Sequence, residues 1–423
     1  MEQSFSFEDF AIELEEFEVR KTKKFDRMWK VGEGGSIASN PLVHGNIVYF
    51  GSADGYLYAV DVLDGKEAWR FKTGDKIYMS SPVIHEGIIY VGSYDYHLYA
   101  LSLEGREIWK FRAGGEIFST PLIYKNKVFF GSRDRNVYAV DATTGKEMWK
   151  FRTGAEIASC PVAAGNRVLI GSFDGNIYCL DTETGKEIWR FRTGEEILNC
   201  AAFLLHHGVL CFGSMDNYLY AVNIINGKEL WRFRTGQYGN SSIPAIRNNV
   251  LYHGSRDGYF YALSMETGKE IWRIRVEGGF AGSNPMINDG IIFFSEESGS
   301  VHAITLDGKE VWKTRLGAVS YGTPSVHGRR IFFGSFDCHL YALDVGSGSE
   351  IWRFATSNMK QSYLPPPYEI FEATVKKSQS HDDDGKGEGK YDFSRQEALG
   401  GSEYHFKSDY QFKSEYQQKS EYK

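Results

Sequence analysis

AEIASCPVAAGNRVLIGSFDGNIYCLDTETGKEIWRFR, residues 155–192, reads as four short strands. Apolar and β-branched residues start one strand in 155–162, form a second at 167–172, a third at 176–181 and a fourth at 187–192. Between them, Phe173-Asp174-Gly175 and Thr182-Glu183-Thr184-Gly185 supply the Asp, Thr and Gly that tight hairpins use for side-chain hydrogen bonds and positive φ. The stretch has no convincing helical period.

Outward from this unit, the same pattern recurs. The nine tryptophans, Trp29, Trp69, Trp109, Trp149, Trp189, Trp231, Trp272, Trp312 and Trp352, are spaced 40, 40, 40, 40, 42, 41, 40 and 40 residues apart. Pro41, Pro82, Pro121, Pro161, Pro244, Pro285 and Pro324 keep the same register, and only the fifth unit, with Ala201-Ala202, lacks its proline. Eight four-stranded antiparallel units of this length, each able to bury its sheet faces only against neighbours, predict an all-β chain: an eight-bladed β-propeller around a central channel. A tryptophan on the outer strand of each unit is expected to wedge between blades, burying roughly 150–250 Å².

The stretch Ala139-Val140-Asp141-Ala142-Thr143-Thr144-Gly145-Lys146-Glu147-Met148-Trp149 resembles the tryptophan-docking motif of the PQQ-like propeller family, which includes quinoprotein dehydrogenases and the propeller lipoprotein of bacterial outer-membrane assembly. The motif is near-complete at Leu180-Asp181-Thr184-Gly185-Trp189 and weaker at Ile304-Thr305-Asp307-Gly308-Trp312. The resemblance covers about residues 28–355 and bears on fold more than on chemistry.

Length and charge narrow the function classes. The chain has 423 residues, 42% hydrophobic and 24% charged, enough for a sizeable core. With 48 basic against 55 acidic residues, net charge −7, no basic excess points to nucleic acid. Neither a secretory leader nor an apolar run long enough for a membrane is read. Five scattered cysteines (Cys160, Cys179, Cys200, Cys211, Cys338) argue for a reducing compartment. The expectation is a cytoplasmic monomer without membrane or nucleic-acid partners.

Four segments are expected: an acidic extension at 1–27, the propeller at 28–357, a Pro-containing segment and linker at 358–390, and a low-complexity tail at 391–423. Residues 1–19 hold seven acids and no base, and Phe7, Phe10, Leu14 and Phe17 suit a short amphipathic helix or, alternatively, a strand through Phe17 and Val19. The tail repeats SEYHFK, SDYQFK and SEYQQK at 402–419. That hexad fits a disordered tail, a strand added to a sheet edge, or repeated Tyr and Ser acceptors.

The resemblance implies a PQQ site built from a tryptophan floor, a vicinal disulfide and calcium. The sequence has no adjacent cysteines, no Cys-x-x-Cys-His, and no tryptophan outside the blade lattice. No cofactor is therefore expected, and dehydrogenase activity is disfavoured. Gly145-Lys146-Glu147 and its copies lead into no helix, so they are hairpins and not phosphate loops. Asp54, Asp95, Asp134, Asp174, Asp216, Asp257 and Asp337 offer one carboxylate per turn, too few for calcium, and suit Asx-turns. His206-His207 is read as an exposed loop pair with side chains on opposite sides, not a metal site.

Variation on a fixed lattice locates the candidate binding face, where the second-to-third-strand hairpins and the interblade loops meet. The hairpins carry Tyr94, Tyr96, His97, Arg133, Arg135, Phe173, Arg256, Tyr259, Phe336 and His339, and the loops add Tyr78, Phe118, Tyr238, Phe280 and Tyr321. Aromatic and Arg side chains are enriched in binding hot spots. Arg133, Arg135 and Arg256 are expected to be dispensable to folding, because neighbouring turns carry Gly, Asn or Tyr there. The pattern favours a noncatalytic platform for a protein or peptide partner, with a small-ligand or quinone-binding enzyme or sensor as the alternative. Nine tryptophan-bearing strands for eight blades leave one surplus; residues 351–354 are expected to complete blade eight, with 28–31 alongside as a clasp.

Overall fold

A computed structural model describes residues 34–198, 204–280 and 283–357. The expected N-terminal helix or strand, the clasp at 28–31 and the hexads lie outside the described residues.

Eight four-stranded antiparallel sheets follow one another, each a simple meander of consecutive strands. The blades span residues 42–72, 83–112, 122–152, 162–192, 204–234, 245–275, 286–315 and 325–355. First strands of neighbouring blades touch, so these three-residue strands line the channel. They are mostly half-buried, the second and third strands are buried except at their ends, and the outer strands alternate exposed and half-buried positions. The core lies between blades: Tyr90, Leu98 and Ala100 of blade two pack with Val128, Phe130, Tyr138 and Val140 of blade three. No blade buries both faces alone, which is why the unit repeats.

The Trp109 indole shows how neighbours join. Its Nε1–H donates to Ala142 O of the next blade at 3.0 Å. Its ring covers Gly145, where an added Cβ would sit 2.6 Å from the indole and where φ is +70°. The turn glycine is thus required twice, for its backbone and for the ring above it. Within the blade each tryptophan pairs with a small residue, such as Ala139 opposite Trp149 or Cys179 opposite Trp189, and a register shift follows.

Two sequence expectations change in detail. The first strand of blade four is Val162–Ala164, whereas 155–161 is loop. Pro161 has no N–H for a ladder, and Ser159 Oγ both accepts from Gly171 N and donates to Gly171 O. The second strand ends at Gly171.

Residues 350–355 form the outer strand of blade eight, with Trp352 opposite Ala342, as expected. Trp352 then donates to Val62 O of blade one at 3.1 Å, so blade eight meets blade one by the contact used everywhere else. Ile37 N–H donates to Ser335 O, and Thr323 N–H to Asn40 Oδ1 at 2.7 Å, adding ties across the same seam.

Candidate binding site at the channel mouth

Hairpin tips and interblade loops are zipped together at one end of the channel. Tyr94 N–H donates to Lys76 O, Arg133 N–H to Glu116 O, Phe173 N–H to Glu156 O, and Phe336 N–H to Val319 O. Each tip residue is thereby held beside the loop arriving from the blade before.

The hairpin aspartates organise this face. Asp95 Oδ1 accepts from His97 N–H at 2.9 Å, the expected Asx-turn. Its Oδ2 accepts from Tyr99 OH and from Gly74 N–H of the preceding blade, both at 2.6 Å. The aspartates at 134, 174, 216 and 257 repeat the triple contact. This interblade latch was not legible in the sequence. Burial, then the aspartate, raises Tyr178 to about 12, so these phenols stay neutral donors. Blade seven departs from the pattern: Ser298 and His302 occupy the Asp and Tyr positions, and Glu277, where other blades have glycine, pairs with Lys313 at 2.7 Å.

Of the predicted residues, one group converges. Tyr78 packs edge-on to Tyr94 and Phe118, with centroids 6.2 and 6.5 Å away, and against Phe336 of blade eight at 6.0 Å. Tyr94 meets Phe118 at 4.6 Å, and Tyr321 meets Phe336 at 4.9 Å. Arg133 lies over Phe118 and bonds Glu156 through Nε at 2.7 Å, with Glu116 at 3.8 Å. Tyr78, Phe118, Phe173, Tyr321 and Phe336 are buried, Tyr94 is half-buried, and Tyr238 is half-buried on the loop from blade five to blade six.

Other predicted residues stand elsewhere. Phe280 is fully buried against Phe260 and Phe294, a core residue between blades six and seven. His97, Tyr259 and His339 begin third strands and pack against Tyr99, Tyr261 and Tyr341. Tyr96 and Arg135 are exposed, both at φ 73°.

The three arginines expected to be dispensable to folding stand in different settings. Arg135 is exposed, Arg133 bridges two loops and Arg256 is buried. Burial lowers the Arg256 pKa, and burial raises Glu297 to about 7 against the opposing charge of Arg256. Glu116, Glu156 and Glu297 were missed as parts of the face; for the first two the recurring Glu-Ile pair in the interblade loops was the available signal, while Glu297, in the hairpin of blade seven, follows no such pair.

Below the mouth runs a belt of polar groups from the residues before the prolines. Asn40 N–H donates to Ser81 Oγ at 2.8 Å, Ser81 N–H to Thr120 Oγ1 at 3.0 Å, and Thr120 N–H to Cys160 Sγ at 3.2 Å. Ile243 N–H and Asn284 Nδ2 continue it through Asn284 and Thr323 to Asn40. Burial pushes the Cys160 thiol up to about 11, so it serves as a neutral lining group.

His206 and His207 are corrected too. His207, at φ 45°, begins the turn, and its ring meets that of His206 edge-on at 4.0 Å instead of facing away. Burial, then the neighbouring ring, lowers the His206 pKa.

A family model for outer membrane protein assembly factor BamB matches residues 26–82 and 53–160. A curated BamB of Marinobacter adhaerens is 35% identical over 66 residues, 14% of this chain, and the match spans 17% of that relative's length. The BamB structure from Moraxella catarrhalis superposes with TM-score 0.61 at 19% identity, covering 72% of this chain and 97% of that one. A quinohemoprotein alcohol dehydrogenase of Pseudomonas putida HK5 gives TM-score 0.58 at 17% identity, covering 67% of each chain. These structural likenesses show the eight-bladed PQQ-like fold.

The expected cytoplasmic location is overturned by these matches, since the relatives in question are outer membrane protein assembly factors. Cysteine count misled because Cys160, Cys179, Cys211 and Cys338 are buried free thiols, which exchange poorly in either compartment. A further family model, that of the β-propeller of the beta-alanine-activating enzyme, matches residues 124–380. Since that match spans more than half of the chain, the protein belongs to this β-propeller family.

Proposed function

We propose that the chain is a noncatalytic propeller platform that holds a protein or peptide partner at the channel mouth. The observation that carries this reading is the buried contact of Tyr78 with Phe336 and Phe118, which joins blade eight to the loops entering blades two and three as a rigid plug, and around which half-buried Tyr94 and Arg133 and exposed Tyr96 and Arg135 are presented. Aromatic and Arg groups so held lose little entropy on binding. Similarity to outer membrane protein assembly factors supports a role as an interaction scaffold in protein assembly. The tryptophans at 69, 109, 149, 189, 231, 312 and 352 donate to neighbouring-blade carbonyls, which supports a structural use for them over a quinone floor.

The test is photo-crosslinking in the native cell from a reactive residue placed at Tyr96 or Arg135, on the mouth side, and at Asn126 or Asn249, on hairpins of the opposite face. A discrete protein adduct from the first pair alone is expected. Adducts from the second pair alone would move the site to the other face.

A further inference from the structure

Each second-to-third-strand hairpin holds one residue at positive φ in the same place. It is glycine in four blades, such as Gly55 and Gly175, and Tyr96, Arg135, Asn217 and Cys338 in the other four, with φ between 71° and 86° throughout. Glycine has no Cβ to crowd the neighbouring carbonyl, whereas other residues reach this conformation at a cost in stability. The arriving loop adds to the crowding: a Cβ at Gly175 would meet Glu195 O at 2.9 Å. The four exceptions therefore need a reason.

Two of them have a structural one. Asn217, of a residue type that tolerates this conformation, accepts from Gly239 N–H through Oδ1 at 2.8 Å. Cys338 is fully buried and belongs to the core. Tyr96 of blade two and Arg135 of blade three are exposed, and among the described residues their side chains make no hydrogen bond, ion pair or ring contact. Glu116 and Glu156, on the loops beside these hairpins, are engaged by Arg133. The backbone beneath is nonetheless fixed, since Tyr96 O accepts from Ala113 N–H and Arg135 O from Thr153 N–H, each at 2.8 Å. Adjacent blades thus hold a phenol and a guanidinium on a costly, rigid backbone, beside the rings of Tyr78, Tyr94 and Phe118.

We propose that Tyr96 and Arg135 determine which partner the channel mouth accepts, and that this partner is a peptide segment presenting one carboxylate beside an apolar side chain. The Arg135 guanidinium pairs with the carboxylate through two parallel N–H donors, and the Tyr96 ring covers the apolar group. Loops and hairpins of the mouth hold more carboxylates than cations overall, so the fit is to a single placed carboxylate and not to negative charge in general. Strain kept under exposed side chains that the fold does not use marks a functional position. The inference rests on the mouth being the partner face, and it assigns recognition within that face to blades two and three.

The experiment selects binders from a random-peptide display library on the full chain. Fluorescence anisotropy then measures them against the parent, Tyr96→Gly, Arg135→Gly and, as a control at the same hairpin place, Asn217→Gly. Selected peptides are expected to carry an aspartate or glutamate next to an apolar residue, and to bind Tyr96→Gly and Arg135→Gly about tenfold more weakly than the parent or Asn217→Gly. Changing that acid to its amide is expected to weaken binding to the parent about tenfold and to leave binding to Arg135→Gly unchanged, because its counterpart is already gone. Melting temperatures of Tyr96→Gly and Arg135→Gly are expected to equal or exceed the parent's, since glycine relieves the backbone. Selected peptides without a carboxylate, binding that ignores both variants or falls equally in Asn217→Gly, or melting temperatures lowered in both variants overturn the proposal. Peptides lost on Tyr94→Ala but indifferent to Tyr96→Gly and Arg135→Gly remove this inference and leave the mouth as the partner face. Peptides lost only on Asn249→Arg, on the opposite face, remove both.

Discussion

Ser357, just past the last strand, donates its backbone N–H to the Tyr58 hydroxyl of blade one at 2.8 Å, and its Oγ donates to Asp54 Oδ2 at 3.0 Å. Elsewhere that place on Asp–Tyr is taken by a glycine N–H, such as Gly114 against Asp134. Residues 299 positions apart thus reproduce a contact that otherwise joins residues about 20 apart, and the seam is latched like the junctions that carry Gly74, Gly114, Gly154, Gly194 and Gly236.

Removing the seam's hydrogen bonds should cost stability. Tyr58→Phe leaves the Ser357 N–H without its acceptor, and Asn40→Ala does the same to Thr323 N–H, so each is expected to lower unfolding free energy by about 1–3 kcal/mol. Chemical denaturation of both single variants and the double variant checks this. If neither variant differs from the parent, the seam does not rest on these bonds.

Two glycines with similar backbones should respond differently to alanine. At Gly145 a Cβ meets Trp109 at 2.6 Å, whereas at Gly165 nothing lies within 4 Å, although φ is positive at both. Gly165→Ala is expected to cost about 1 kcal/mol from φ alone, and Gly145→Ala about 1–3 kcal/mol more, because the indole must shift. Equal losses in urea melts would remove the claim that the ring, and not the turn, fixes this glycine.

Stability should depend on pH through Glu297. Its folded-state pKa of about 7 stands above the ordinary 4.5, so the fold favours the protonated acid; stability is highest below pH 4.5, falls as pH rises toward 7, and levels off above, by an amount of the order of 3 kcal/mol. Glu297→Gln should remove this component. Parallel pH profiles for parent and variant between pH 5 and roughly 8 would contradict the assignment.

Arg133 should matter to both folding and recognition. Arg133→Ala strands Glu156 and Glu116 in a half-buried setting and is expected to cost about 1 kcal/mol, while Arg135→Ala, at an exposed turn, should leave the melting temperature nearly unchanged. A partner-binding loss for Arg135→Ala at unchanged stability would then report on the mouth alone. Indistinguishable melts for the two variants would show that the Glu156 contact is not structural.

The repeat was legible because its determinants are local. Tryptophan spacing, alternating apolar residues and Asp-Gly or Thr-Gly turns specify strands and hairpins within some forty residues, and a unit that cannot bury its own faces calls for neighbours. Tertiary structure decided the rest, since the deciding contacts join residues distant in sequence. Tyr78 and Phe280 are both buried, and whether such a loop aromatic packs across several blades, as Tyr78 does against Phe336, or within one blade interface, as Phe280 does, depends on which ring faces it. The second oxygen of each hairpin aspartate, the burial of Arg256 and Glu297, and the place of Ser357 beside Tyr58 follow from closing eight similar units into one ring. Periodicity determined the number of blades and the strands in them; only closure of the ring determined which of their side chains meet.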